Sequence, residues 1–195
     1  MELLEAYRRG LREFTDRVGQ VDPAQWSAPT PCREWDVRAL VNHVVGVDRQ
    51  TAPVLAGETA ADIGHEDGQG QDLLGPDPVR AAEEAAAAAD GAVSSADVLD
   101  RTVRGPAGEI PAEEYLHQML AEHLIHGWDL AVAIGVDPGL DPAVVHECAD
   151  WFTSRVANYQ AGQLIRTGID VPAGADEQDR LLAAFGRDPD WAPDS

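Results

Sequence analysis

Glu122 and His126 stand four residues apart in the run Glu122-His123-Leu124-Ile125-His126-Gly127-Trp128-Asp129-Leu130. On a helix this spacing puts both side chains on nearly one face, about 40° apart in direction and one turn apart in height. A carboxylate and an imidazole placed side by side offer an oxygen and a nitrogen donor to one divalent ion. Their stripe also carries Met119, Leu130 and Ala133, so without a partner both polar groups enter an apolar interior at considerable desolvation cost. His43 interrupts a second apolar stripe, shared with Leu40, Val47 and Val54. If helix packing brings it opposite, the set becomes His2Glu, and three protein ligands leave room for water or substrate as catalytic zinc sites do. The plainer alternative is an ordinary ion pair between Glu122 and His126 beside a hydrogen-bonded core histidine at 43, because the spacing by itself is weak evidence.

Other polar residues are weaker candidates. His123 points about 100° away from Glu122 and reads as a core or edge residue, the substitute ligand should Glu122 not serve. Trp128 and Asp129 read as packing, supporting or capping residues, with a role for Asp129 as a base the minor alternative. Cys32 follows Pro31 and precedes Trp35 in a loop, and structural packing is preferred there over a nucleophilic role. His65, His117 and His146 have no ligand at useful spacing and read as surface histidines. No catalytic residue is assigned.

The elements that must position the triad are helical. Leu3, Leu4, Tyr7, Leu11, Phe14 and Val18 recur at three and four, predicting a first helix over residues 2–20 with one buried stripe. Asp22-Pro23 ends it, and Trp26 to Pro31 forms a stiff connection in which Trp26 pins the loop to the bundle. Asp36 caps a second helix that carries His43 and ends or kinks near Pro53. Residues 57–78, rich in Gly, Asp and Gln, read as a mobile surface loop. A third helix runs from Pro78 to about Ala96 through the alanine block 85–89. After a connection over 97–110, Pro111 opens a fourth, central helix that closes at Gly135 and carries Glu122 and His126. Asp141-Pro142 starts a fifth helix, with Val144, Val145, Cys148, Trp151, Phe152 and Val156 on one side. A short helix over Asp176 to Phe185 precedes a Pro-rich acidic tail. No convincing strand pair and no internal repeat is visible. The expected fold class is therefore all-α, a four-helix bundle with an additional C-terminal helix and short tail. Residues 1–165 are taken as the metal-binding bundle and 166–195 as an extension packing on the same domain.

Composition narrows the function classes. With 195 residues, 44% hydrophobic and 25% charged, the chain has the makeup of one soluble globular domain. No apolar run approaches the roughly 20 residues of a membrane span. The formal charge of −21, from 35 acids against 14 bases, repels nucleic acid and anionic membrane, so neither is an expected partner. The N-terminus shows neither a basic leader nor an apolar signal core, which predicts a cytoplasmic protein. Cys32 and Cys148 are far apart and form no C-x-x-C pair, and both are expected to be free thiols.

Several motifs together resemble one family. His126-Gly127-Trp128-Asp129-Leu130-Ala131, Thr30-Pro31-Cys32 followed by Trp35, and Leu40-Val41-Asn42-His43 are similar to the metal-binding group related to the N-terminal domain of mycothiol-dependent maleylpyruvate isomerases. That group belongs to the wider DinB-like four-helix bundles. The ending Asp179-Arg180-Leu181-Leu182-Ala183-Ala184-Phe185-Gly186-Arg187-Asp188-Pro189 resembles the short members of the group. The resemblance implies that His43, Glu122 and His126 bind a divalent ion, Zn2+ in the first place and Ni2+ as the alternative. It also implies a thiol-dependent transferase that takes mycothiol as co-substrate with a small electrophilic substrate, and a homodimer. The further C-terminal domain of the isomerases is not expected here, so isomerase activity itself is not implied. A metal-dependent hydrolase, and a non-catalytic metal-stabilised module for binding or stress response, are the alternatives.

Overall fold

Four aspartates set where helices begin. In the computed structural model, which describes residues 1–58, 71–105, 108–155 and 168–193, α1 spans Leu3–Val18, α2 Val37–Leu55, α3 Pro78–Ala92, α4 Ala112–Ile134, α5 Pro142–Thr153 and α6 Glu177–Ala184. Asp36 accepts from the Ala39 amide at 2.8 Å, Asp77 from Arg80 at 3.2 Å, Asp141 from Ala143 at 2.8 Å and Asp176 from Asp179 at 2.8 Å. Each carboxylate satisfies an otherwise unpaired first-turn amide and sits at the positive end of the helix dipole. Pro78 and Pro142 fill first-turn positions where no amide is needed. Part of the acidic excess is therefore spent on starting helices. α4 ends at Gly135, whose φ of 74° only a residue without a Cβ adopts at little cost.

Paired contacts fix the helix directions. Arg8 of α1 bonds Asp90 near the end of α3 at 2.7 Å, while Phe14 and Val18 cluster with Ala81, Ala82 and Ala85 near its start. These two helices are antiparallel. In α2 and α4, Thr51 lies 3.5 Å from the Tyr115 hydroxyl and His43 lies 3.1 Å from Glu122, which again requires opposite directions. α1 and α4 run the same way: Gly10 faces Leu120 and His123, and Gly127 faces Phe14 and Arg17. A Cβ at Gly10 would lie 3.1 Å from Leu120 Cδ1, so the missing side chain is what permits this close approach. α2 and α3 are thus parallel neighbours. This is the all-α, DinB-like arrangement, a four-helix bundle with α5 and α6 added at the C-terminal side.

The core divides into two clusters. Tyr7, Leu11, Leu116, Leu120 and Leu124 pack with Val144, Cys148, Phe152, Leu181 and Leu182, which ties α5 and α6 to α1 and α4. Phe14, Val18, Val37, Leu40, Val44 and Leu130 pack against the small residues of α3. Phe152 and Phe185 stack with centroids 4.1 Å apart, anchoring the end of α6. No helix among the described residues is long and apolar enough to cross a membrane.

Several expectations are corrected. The connection over 97–110 contains a short 3-10 turn, Val98–Asp100, and then an antiparallel hairpin of Thr102–Gly105 with Gly108–Pro111. Strands of four residues punctuated by Gly and Pro give no alternating signal long enough to recognise. Pro111 is extended at the last strand position, and α4 starts one residue later. Helix α3 stops at Ala92 rather than near Ala96. The end of α2 near Pro53 is as expected: the proline lies in its last turn, and the helix ends two residues beyond it at Leu55. Leu73 and Leu74, placed by composition in a surface loop, are buried against α2, where the Leu73 amide donates to Asn42 Oδ1 at 2.7 Å. The mobility expected of 59–70, the surface placement of His65 and the helical placement of Val156 fall outside the described residues.

Leu120 is fully buried between α1 and the α5–α6 layer. Leu120→Ala is expected to lower unfolding free energy by about 2–5 kcal/mol, by lost transfer energy plus the residual cavity. Urea denaturation measures this, and a midpoint unchanged from the parent would contradict the packing described.

Candidate metal centre

Antiparallel packing of α2 on α4 brings the three singled-out residues together. Glu122 Oε2 lies 3.1 Å from His43 Nε2 and 3.1 Å from His126 Nε2. One donor atom from each of the three residues falls within 4.8 Å of the others. Donors at 2.0–2.1 Å from a tetrahedral zinc stand about 3.3 Å apart, so the spacing suits a single ion with small adjustment. The site lies at the bundle edge rather than in its sealed interior: the Glu122 side chain is 35% exposed, His43 22% and His126 9%. The expectation that the whole stripe enters the core is corrected to that extent, and the exposed side is where a further ligand has access.

The loop before α2 covers the two imidazoles. Trp35 stands with its ring 4.6 Å from that of His43 and 5.7 Å from that of His126, while the two histidines meet edge to face at 5.2 Å. Thr30 is buried and organises this loop. Its hydroxyl donates to the Trp35 carbonyl at 2.8 Å and accepts from the Cys32 amide at 3.2 Å. The Thr-Pro-Cys and Trp35 motif thus has a local physical meaning: a hydroxyl-bridged turn that sets an indole over the histidine pair.

On the inner side, His126 Nδ1 lies 3.0 Å from Asp129 Oδ2. Asp129 is fully buried and receives a forked contact from Arg187, Nε to Oδ1 at 3.0 Å and Nη2 to Oδ2 at 2.8 Å. The Cys32 thiol donates to Asp129 Oδ2 at 3.3 Å and accepts from Arg187 Nη2 at 3.0 Å. Cys32, His126 and Asp129 also bring three ligand-type atoms together, but the guanidinium already supplies the cation there, so the His43, Glu122 and His126 group is the better candidate. Cys148 is a buried free thiol whose pKa burial pushes up to about 12, and it has no place in the site.

The electrostatics follow from burial set against these bonds. Burial alone would raise the Glu122 carboxyl, yet hydrogen bonds from His126 and His43 hold it well below its ordinary value. Burial alone would lower the His126 imidazole, yet Asp129, Cys32 and Glu122 carry it well above its ordinary value. Asp129 is likewise held low against burial by His126 and Arg187. Both directions favour pairing between Glu122 and His126.

His123 is buried away from the site, with Nε2 at 2.7 Å from Asp48 Oδ1 and the Tyr7 ring at 5.5 Å. It is a core residue and not a substitute ligand. Its Nδ1 has no hydrogen-bond partner among the described residues. His117, expected at the surface, is buried and stacks on Trp151 at 5.3 Å. His146 is exposed as expected and pairs with Glu177 at 3.0 Å. Sequence reasoning missed the roles of Arg187 and Asp48. Arg187 stood in a recognisable ending, but nothing in its spacing pointed to Asp129.

Fold and site together define an all-α bundle with a two-helix His2Glu cluster. Residues 7–131 match the family model described as the mycothiol maleylpyruvate isomerase N-terminal domain, and the chain belongs to that family. Two uncharacterized proteins of Mycobacterium tuberculosis, MT0763 of strain CDC 1551 / Oshkosh and Rv0738 of strain H37Rv, are each 32% identical over 148 residues, 75% of this chain and 75% of theirs. The fold is similar to the crystal structure of the mycothiol-dependent maleylpyruvate isomerase, with a TM-score of 0.61 at 20% identity over 80% of this chain and 73% of that one. A point mutant of that enzyme gives 0.64 at 19% identity over 81% and 72%.

The two pKa shifts predict a pH profile for the chelator-treated protein. His126 is raised, so its stabilising contribution is complete below 6.5 and is lost as pH rises through its folded value. Glu122 is depressed, so its contribution is complete above 4.5 and is lost as pH falls through its folded value. Both contribute fully only between these limits. The melting-temperature difference between parent and His126→Ala should peak in that window, and a difference independent of pH would contradict the pairing.

Proposed function

We propose that the protein binds one divalent ion, zinc before nickel, through His43 Nε2, Glu122 and His126 Nε2. We further propose that it serves transfer of a low-molecular-weight thiol of the mycothiol type onto a small electrophile. The observation that carries the first part is the single carboxylate oxygen 3.1 Å from two imidazole nitrogens on two different helices, at an edge open to solvent. When bound, such an ion lowers the pKa of a coordinated thiol and so supplies a nucleophile near neutral pH. The chain's own residues do the rest. The two imidazoles and the carboxylate provide three donors, Asp129 orients His126, and Trp35 walls one side against water. On this reading residues 1–165 are the metal-binding bundle and 166–195 an extension of the same domain, consistent with Leu182 in the core and Arg187 on Asp129.

The thiol part rests on family membership and on the name of the structural neighbour, a mycothiol-dependent isomerase. A hydrolase built on the same three donors needs a separate general base, and the Asp129 carboxylate behind His126 is already engaged by Arg187 and His126. A purely structural ion favours a closed four-ligand site, whereas Glu122 faces solvent.

His43→Ala and His126→Ala are each expected to abolish stoichiometric metal in the purified protein, and chelation is expected to lower the parent's melting temperature. Elemental analysis showing unchanged metal content in both variants would refute the site. For the thiol, consumption of maleylpyruvate or a related electrophile should require mycothiol. Equal turnover without any thiol would favour hydrolysis instead.

A further inference from the structure

We infer that Arg187 is a positioning residue for the metal centre: through Asp129 it sets the orientation of His126 and so governs how tightly the triad holds its ion. The inference rests on the metal reading of His43, Glu122 and His126.

The end of α6 is shaped to deliver this guanidinium. Gly186 takes φ 75°, its amide donates to the Ala183 carbonyl at 2.9 Å, and the Arg187 amide donates to the Leu182 carbonyl at 2.9 Å. These are the two backbone bonds of a Schellman turn, which reverses the chain immediately after the helix. Leu181 and Leu182 are buried beneath it, and Phe185 is stacked on Phe152. Arg187 consequently leaves a fixed point and reaches back to α4, its Nη1 also donating to the Phe185 carbonyl at 3.2 Å.

What it reaches is the carboxylate behind a metal-ligand candidate. Asp129 has both oxygens engaged by the fork, and Oδ2 also faces His126 Nδ1 at 3.0 Å. An imidazole that donates from Nδ1 to a fixed carboxylate presents its Nε2 lone pair outward, which is the nitrogen facing Glu122. Without the fork, Asp129 keeps, among the described residues, only its contacts with the Cys32 thiol and His126, and the carboxylate that fixes the His126 ring is less firmly held. The contact of Arg187 with Cys32 Sγ at 3.0 Å ties the Trp35 loop to the same point. One residue thereby links the tail, the loop over the histidines and the metal-bearing helix.

A purely electrostatic role predicts the opposite sign. Removing a cation near a cation site strengthens metal binding, whereas removing an orienting contact weakens it, so affinity separates the two. The test titrates the full chain with Zn2+ against a competing chelator and records the visible spectrum of the Co2+ form, for parent, Arg187→Ala and Arg187→Lys. Circular dichroism checks the fold. Arg187→Ala should weaken Zn2+ binding about 10–100-fold, the range seen when supporting partners of metal ligands are lost, with an altered Co2+ spectrum. Arg187→Lys keeps the charge without the fork and should fall between. If Arg187→Ala does not fold, the lysine variant decides, and weaker binding than the parent supports the inference. Variants binding Zn2+ as tightly as the parent or more tightly would overturn the positioning role alone. A parent that binds no Zn2+ would overturn the metal reading and the role with it.

Discussion

One carboxylate held between two imidazoles is the contact on which the site depends. Glu122 Oε2 is 3.1 Å from nitrogens on α2 and α4, and neither helix alone can produce that geometry. It requires α2 and α4 to be antiparallel neighbours in a particular register. The buried pair of Asp48 with His123 at 2.7 Å and the Thr51 to Tyr115 contact at 3.5 Å hold that register deeper in the bundle. A slip of one turn would leave a fully buried carboxylate and imidazole unpaired, which is strongly disfavoured. The polar pairs inside the core therefore support the one at its edge.

The surroundings distribute tasks among chemically different side chains. Trp35 covers the outer faces of the histidines, and Asp129 takes the inner nitrogen of His126. Glu122 faces solvent. Charge is balanced locally even though the chain carries a formal −21: the buried Asp129 is met by Arg187, and Glu122 by imidazole. Asp48 is likewise met by His123, and Asp36, Asp77, Asp141 and Asp176 stand at helix starts, where they contribute to helix initiation.

The helices were legible in the sequence because periodicity and caps are local signals. Asp36, Asp141-Pro142 and Gly135 mark boundaries by their own backbone chemistry, and the structure begins or ends helices beside them. His43, Glu122 and His126 were legible for a related reason, since each interrupts an apolar stripe and so must find a partner. The pairing of Arg187 with Asp129 was not, because the two are separated by 58 positions and the approach depends on a turn beyond α6. The Asp48 partner of His123 was hidden in the same way: a helix face shows that a group is buried but not what it meets. The hairpin after α3 was invisible because its strands are too short to establish alternation, and His117 was misplaced because its stacking partner Trp151 comes from another helix.

X-ray absorption at the zinc edge of the zinc-loaded protein is the most direct test of this account. It predicts a first coordination sphere of nitrogen and oxygen at about 2.0–2.1 Å with outer scattering from two imidazoles, and no sulfur. In protein freed of low-molecular-weight thiols, a sulfur contribution at about 2.3 Å would place Cys32 on the ion and contradict the assignment of the metal to His43, Glu122 and His126.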